Sequence, residues 1–228
     1  MMNSFITAEE AENLNLLVQR RIDPRLFLFC NYEPSPDNSF SPDGIFVSRV
    51  LGLYRFAVDS CCPIGQLILL LGKENQRRLR GLRTDINTVK TLRSAIAHSQ
   101  SEKNGYTSQR ILEDYKMWVK EAIGKNAPNS EQDYILMNNK LGGLQKRILS
   151  GLKEMLTLLE TKVPRDELTD QWISILLNWY CSNTRMEIYF GCLINEYLSR
   201  SLARGTVLCF KSRIENYESL STYGLKKQ

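Results

Sequence analysis

The sequence is poor in the residues that most metal sites and acid–base catalysts need. It contains one histidine, His98, among 228 residues. Its six cysteines form no Cys-x-x-Cys pair, so we expect no zinc site and no metal or other cofactor. Most of them stand among apolar residues, which is typical of buried, reduced thiols. The cysteines are Cys30, Cys61, Cys62, Cys181, Cys192 and Cys209.

Long hydrophobic runs are also missing. The longest apolar stretches, 68–71 and 172–180, fall short of the roughly 18 residues that a membrane span needs. Residues 1–10 carry no basic region followed by an apolar one, and they turn acidic where a signal peptide is most hydrophobic. We therefore expect a cytoplasmic protein with no membrane partner. The apolar fraction of 43% is that of an ordinary globular chain, which argues against a disordered protein.

Alternation of the strand type is almost absent, whereas apolar residues recur at helical spacing through most of the chain. One stripe consists of Leu144, Ile148, Leu152, Met155 and Leu159. Gly124, Pro164 and the polar residues 99–105 mark helix ends. Residues 31–44, with three of the seven prolines, predict a long surface loop, and Gly142-Gly143 predicts a turn between helices.

These patterns predict an all-α fold, an antiparallel helical bundle of about seven or eight helices. We expect one domain over residues 1–228, because the two halves have similar composition. The linker near 125–130 could divide it into sub-bundles 1–124 and 130–228. Three tryptophans, Trp118, Trp172 and Trp179, lie on apolar stripes, which favours core packing or a subunit interface over base stacking.

Positive charge is concentrated in one stretch. Residues 73–93 hold seven cations and two anions, so the whole net charge of +5 falls within it. Such a run suits a surface that approaches phosphates, and it would equally suit a solvated helix face. The residues that we predict to bind RNA are Arg77, Arg78, Arg80, Arg83 and Lys90. The same stretch is expected to continue into a helix over 85–98, with an apolar stripe that includes Ile86, Val89 and Leu92.

His98 and Arg93 form the one constellation with catalytic potential. On an uninterrupted helix a five-residue step turns about 140°, so the two side chains converge only if the helix ends around Ala97. The polar run that begins at Ser99 predicts such an ending, and the dipole of the last turn favours imidazolium. A proton-transfer group beside a permanent cation is what metal-free RNA cleavage requires, with the RNA 2′-hydroxyl as nucleophile. The alternative is that His98 merely caps the helix.

A known family has a similar motif. Segment 92–99, LRSAIAHS, resembles the R-x4–6-H signature of the HEPN superfamily (higher eukaryote and prokaryote nucleotide-binding domains). The resemblance implies an all-helical fold, often a ribonuclease of toxin–antitoxin or phage-defence systems, and a homodimer whose paired motifs form a composite active site. It implies acid–base work for His98 and phosphate binding for Arg93, with Ser94 in a supporting position that is usually asparagine. Gln100 replaces the aromatic residue found in toxins that pair with nucleotidyltransferases.

Three interpretations follow. The first is a metal-independent endoribonuclease that leaves 2′,3′-cyclic phosphate and acts as a toxin or defence effector, under the control of an antitoxin or another regulatory partner. The second is a non-catalytic helical module that binds RNA, a nucleotide or a protein through the basic stretch. The third is a structural interaction protein in which the spacing of Arg93 and His98 is accidental.

Overall fold

The computed structural model describes residues 8–30, 32, 41–98 and 106–181, except the side chains at 98, 106–108, 177, 180 and 181. In these ranges the chain forms eight α-helices and no strand, apart from one isolated antiparallel bridge between Phe29 and Cys61. The helices are α1 Ala8–Arg21, α2 Pro42–Tyr54, α3 Ile64–Leu69, α4 Lys73–Arg78, α5 Arg80–His98, α6 Tyr106–Ile123, α7 Glu131–Lys162 and α8 Arg165–Cys181. The predicted all-α class is confirmed. None of the described helices combines the length and the apolar character needed to cross a bilayer.

The chain divides into two compact units, residues 1–179 and 180–228. In the first unit, α7 packs against α2, α5 and α6, and α5 packs against α2 and α6. The connection at 124–130 lies inside this unit, with helices on both sides of it in contact. Only the last two residues of α8 are described in the second unit, so the single domain expected over 1–228 remains a prediction.

Helix α7 supplies much of the core. The stripe predicted from Leu144 to Leu159 is buried throughout, with Ile148, Leu152 and Met155 fully inaccessible. The helix starts at Ser130, whose hydroxyl accepts a hydrogen bond from the Asp133 backbone N–H. The preceding helix ends at Gly124, which has a left-handed backbone (φ 73°), as the glycine signal predicted.

Three predicted boundaries are wrong. The loop expected at 31–44 does not include 42–44, because Pro42 opens α2, where its missing N–H and fixed φ are favourable. Residues 31 and 33–40 lie outside the description. Gly142-Gly143 form no turn but lie within the 32-residue α7, where burial of Leu141 and Leu144 offsets the low helix propensity of glycine. Helix α5 begins at Arg80 rather than near residue 85.

Helices α5 and α7 approach closely at Gly151. A Cβ atom at this position would lie 3.0 Å from the Cβ and 3.1 Å from the Cδ1 of Leu82 on α5. Glycine therefore allows the two backbones to come together, and Leu82 is buried in the contact. This contact fixes α5, the helix that carries the predicted site, against the longest helix of the unit.

A π-helical segment, Arg55–Asp59, follows α2 directly. Its wider turn is closed by the hydrogen bond that the Ser60 N–H donates to the Arg55 carbonyl, 2.8 Å. Phe56 in this segment is fully buried and stacks on Phe29, with ring centroids 4.4 Å apart. The sequence pattern does not indicate this π register.

Candidate functional site

Helix α5 carries the three residues of the predicted motif, Arg93, Ser94 and His98. The helix forms because Ile86, Val89 and Leu92 bury one face while its other faces carry charged and polar residues. His98 is the last residue of α5. Convergence of the Arg93 and His98 side chains was expected to require a helix end around Ala97, one residue earlier. Positions 93 and 98 are thus separated by about 140° of helical rotation and about 7.5 Å of rise. The His98 imidazole lies outside the described atoms, so its relation to Arg93 remains a prediction.

Arg93 is exposed and has two neighbours from the α2 side. Its Cζ atom lies over the Tyr54 ring, 5.3 Å from the centroid, within the range of a cation–π contact. Asp59 is the nearby anion. Desolvation raises the pKa of the Asp59 carboxyl, while the positive charges of Arg93 and Arg55 oppose that rise. The Arg93 guanidinium therefore contacts the Tyr54 ring and interacts electrostatically with the Asp59 carboxyl. Ser94 follows it on α5 and is half-buried.

The π register explains why Tyr54 and Asp59 both lie near Arg93. These two residues are five apart, a step that in an α-helix would turn them about 140° from each other. In a π turn, residues i and i+5 lie above one another, because the hydrogen bond spans five residues instead of four. The same five-residue spacing therefore has opposite consequences in the two segments. It brings 54 and 59 together, and it separates positions 93 and 98 on α5.

Four cations surround a concave surface between α4 and α5. Lys73, Arg77, Arg80 and Arg83 line this basic groove, which has a volume of about 400 Å³. The other lining residues are polar: Gln76, Thr84 and Asn87. The groove brings together three of the five predicted RNA-binding residues. Lys73 and the polar residues were missed, although positions 73, 76, 80, 83 and 87 recur at steps of three and four, which places them on one face.

Arg78 and Lys90 are placed differently. Arg78 turns toward α7 and forms an ion pair with Glu154 at 2.9 Å, so the structure does not bring it into the basic groove. Lys90 lies farther along α5 and lines a second cavity together with Arg83. Their predicted roles in RNA binding stay predictions.

The groove cations differ from other cations in their partners. Within the described part of the chain, Lys73, Arg77, Arg80 and Arg83 form no ion pair. Asp85, one of the two anions in the basic stretch, is turned to α7, where Arg147 donates hydrogen bonds to both of its oxygens at 3.0 to 3.2 Å. The four groove cations thus form no ion pair with a carboxylate of the described residues, although Glu74 stands beside Lys73 in the first turn of α4.

The second cavity, of about 440 Å³, adjoins the groove and shares Arg83 and Asn87 with it. It extends between the π segment, α3 and α5, and Trp179 of α8 also lines it. Trp118 and Trp172 are buried as predicted, whereas Trp179 is only half-buried. The sequence pattern did not indicate this cavity, because its walls come from segments that are far apart in the chain.

Two of the cysteines with described side chains are buried in the core. Cys61 and Cys62 are buried and Cys30 is half-buried, all as free thiols. Burial raises the pKa of both Cys61 and Cys62, which disfavours the thiolate. The other predicted thiols lie outside the described side chains. Within those limits, no group of three or more His, Cys, Asp or Glu residues could hold a metal ion.

Chemically, the α4–α5 surface can bind several phosphates through guanidinium and ammonium groups, next to amide and hydroxyl donors. Arg93 extends the cationic series along α5, about 20 Å from Arg80. In comparisons with protein-family models, curated proteins and solved structures, nothing matches this chain.

Proposed function

We propose that the chain is a metal-independent endoribonuclease of the HEPN type, built as an antiparallel bundle. The observation that carries the proposal is the basic groove of Lys73, Arg77, Arg80 and Arg83, whose cations have no ionic partner among the described residues. The groove lies on the helix that ends with the Arg93 and His98 motif. A phosphate chain bound in the groove would run toward that motif.

In the proposed reaction, the 2′-hydroxyl oxygen of the RNA attacks the adjacent phosphorus, and the bond from phosphorus to the 5′-oxygen breaks. The proton of the 2′-hydroxyl passes to a base, which is His98 or its copy in a second protomer. A protonated His98 donates a proton to the leaving 5′-oxygen. The products are a 2′,3′-cyclic phosphate and a free 5′-hydroxyl, and no metal ion is needed for the proton transfers.

Arg93 has the role of stabilising negative charge on the phosphate oxygens as the attack proceeds. Its exposure and its contact with the Tyr54 ring support this role, since the ring restrains the guanidinium without neutralising it. Ser94 supports the site by a hydroxyl in the position next to Arg93. The active form is a homodimer in which the two copies of α5 complete one site, because positions 93 and 98 of a single helix face different directions.

The proposed biological setting is a cytoplasmic toxin or antiviral defence effector that a regulatory partner restrains. RNA degradation by an uncontrolled enzyme would be toxic to its own cell, so an antitoxin or another inhibitor is expected to cover the groove. An acidic surface on that partner would complement the unpaired cations.

A second candidate is a non-catalytic module that binds RNA through the same basic groove. The observation that favours it is the continuity of α5 through His98, which separates the two motif positions by about 140°. In that case Arg93 and its neighbours would only extend the binding surface.

The test is incubation of the full chain with RNA in EDTA, followed by analysis of the RNA ends. We expect cyclic-phosphate ends from the wild type and a loss of about 1,000-fold in rate for His98→Ala and for Arg93→Ala. Arg147→Ala removes an arginine that is bound to Asp85 and is expected to keep its activity. Undiminished cleavage by His98→Ala would contradict the proposal, and salt-sensitive binding without cleavage would support the second candidate.

A further inference from the structure

The second cavity combines three kinds of lining in one place. Its apolar lining includes Ile64, Ile86 and Leu69, and Leu69 is 62% exposed. Gln66 and Asn87 contribute side-chain amides, which can both donate and accept hydrogen bonds. Arg83 and Lys90 contribute positive charge. An apolar pocket with a few polar groups is typical of a site for a small organic ring rather than for an inorganic ion.

The position of the cavity beside the basic groove restricts the class of molecule that could carry such a ring. Arg83 and Asn87 line both the cavity and the basic groove, so a ligand that fills the cavity is next to whatever fills the groove. The groove suits a chain of phosphates, as argued above. In a nucleotide a planar, partly polar base is joined to phosphate through the ribose, so a base in the cavity and phosphates in the groove can belong to one strand.

The size of the cavity is adequate for one base. Its volume of about 440 Å³ lies within the range of small-molecule sites. Trp179 offers an aromatic surface that is half-buried, and a base can stack on such a ring. The amides of Gln66 and Asn87 are suited to the hydrogen-bonding edge of a base, as in RNA recognition generally.

We infer that this cavity is a pocket for one unpaired base of an RNA strand whose phosphates occupy the basic groove. This inference rests on the proposed function and defines its substrate class as single-stranded RNA. A base in a duplex is stacked and paired inside the helix, so it cannot enter a side pocket without being displaced. Gln66 and Asn87 are then specificity-determining residues, because they face the edge on which bases differ.

The fold offers a matched pair of substitutions for a test. A Cβ atom at Gly65, which lines the cavity, meets nothing within 4 Å, and the same is true at Gly81 on α5, which lines neither concavity. Gly65→Phe should therefore fill the cavity without disturbing the core, and Gly81→Phe adds the same side chain elsewhere. The probes are a short single-stranded 2′-O-methyl RNA, which lacks the attacking hydroxyl, and its duplex with the complementary strand.

We expect Gly65→Phe to weaken binding of the single strand about tenfold, the order of one lost base-stacking contact. Its duplex affinity should stay unchanged, and Gly81→Phe should bind both probes like the wild type. Equal losses for both probes, or no loss for either, would overturn the inference. Titration of the wild-type protein with the single strand gives a second measurement: quenching of tryptophan fluorescence that disappears in Trp179→Phe supports the pocket, and its absence contradicts it.

The outcomes also separate this inference from the proposed function. If unmodified RNA is cleaved and Gly65→Phe binds and cleaves it normally, the enzyme stands and the base pocket fails. If no cleavage occurs but Gly65→Phe loses single-strand binding alone, the pocket stands and the nuclease fails. Binding of a duplex in preference to the single strand would contradict the pocket whether or not the protein is an enzyme.

Discussion

The cations of this protein behave differently in two regions of the first unit. On the α6–α7 side, Lys125 pairs with Asp133, Lys140 with Glu121 and Arg147 with Asp85, at 2.8 to 3.0 Å. In the basic groove of α4 and α5, the four lining cations have no such partner among the described residues. Lysine and arginine thus form intramolecular ion pairs in the first region, whereas in the groove they are open to an anionic ligand. Net charge alone does not reveal this difference.

The difference concerns binding more than stability. The Lys125 and Arg147 side chains are about half exposed, and a solvent-exposed cation contributes only about 0–1 kcal/mol through its ion pair, so these two cations stabilise the fold little. The effect of pairing on the local field is larger, since a carboxylate at 3 Å cancels most of the potential of its partner at a distance. We therefore expect substitutions in the two regions to differ chiefly in their effect on RNA affinity.

The largest difference is expected for triple neutralisation. Replacing Arg77, Arg80 and Arg83 with glutamine should weaken single-stranded RNA binding on the order of 50-fold near physiological salt, and should lower the slope of log K against log salt by about 2. The reason is that three counterion-releasing contacts are lost. Fluorescence anisotropy over a range of salt concentrations measures both quantities.

The matched control removes three charges from cations that have partners. The variant with Lys125, Lys140 and Arg147 changed to glutamine should keep its affinity within about threefold and its slope almost unchanged. Similar losses in the two variants would show that only net charge matters. The distinction between the regions would then be wrong.

A smaller effect is expected where the two regions meet, at the contact between α5 and α7. Gly151→Ala should lower the free energy of unfolding by about 1 kcal/mol. The reason is that the steric cost of the new Cβ against Leu82 exceeds the gain in helix propensity from glycine to alanine. Gly142→Ala, on the same helix but with open space around its Cβ, should raise it by about 0.5–1 kcal/mol. Urea unfolding of both variants tests this, and a gain at both positions would contradict the close approach.

A pH effect is expected from the paired region. The pKa of Asp133 is lowered from 3.8 by the hydrogen bond from the Asn129 N–H, then by that from Lys125. A carboxylate whose pKa is lower in the folded than in the unfolded state stabilises the folded protein at pH values above its unfolded-state pKa. This stabilisation is lost as the pH falls through the folded-state pKa. The Tm difference between the wild type and Asp133→Asn should therefore be full above about pH 4 and shrink below it. A Tm difference between the wild type and Asp133→Asn that stays constant with pH would refute the expectation.

The smallest effect is expected for the ion pair of Arg147 with Asp85. Arg147 is 59% exposed, so Arg147→Gln should change the free energy of unfolding by no more than about 0.5 kcal/mol. Denaturant unfolding measures the change. A loss of several kcal/mol would mean that paired cations are important for the fold, and the contrast with the groove would need a different explanation.

The sequence predicted the helices whose signals are local. The Leu144 to Leu159 stripe and the Gly124 helix end depend on spacing and on one backbone conformation, and both were predicted correctly. The Gly142-Gly143 turn was wrong because packing around the α7 core outweighs the propensity of two residues. The loop prediction for Pro42 was wrong because it was based on the three prolines in 31–44. Proline is also favourable at the first position of a helix, which is where Pro42 lies.

The candidate site was predictable only in part for the same reason. The concentration of cations in 73–93 was visible in the sequence, and three of them do line one groove. The separation of Arg78 from the others depends on Glu154, which is 76 residues away, and no local pattern carries that information. The second cavity likewise needs α3, α5 and α8 to meet.

The π segment at 55–59 adds one residue to the turn between Tyr54 and Asp59. If a residue between them, such as Val58, were deleted, Tyr54 and Asp59 would be four residues apart, and an ordinary α-helical turn would still place them on one face. A change to α-helix at full length would instead turn them about 140° apart. The surroundings of Arg93 thus depend on the match between the number of residues in this turn and its helix type, so that a shortened α-helical turn and the natural π turn give the same result.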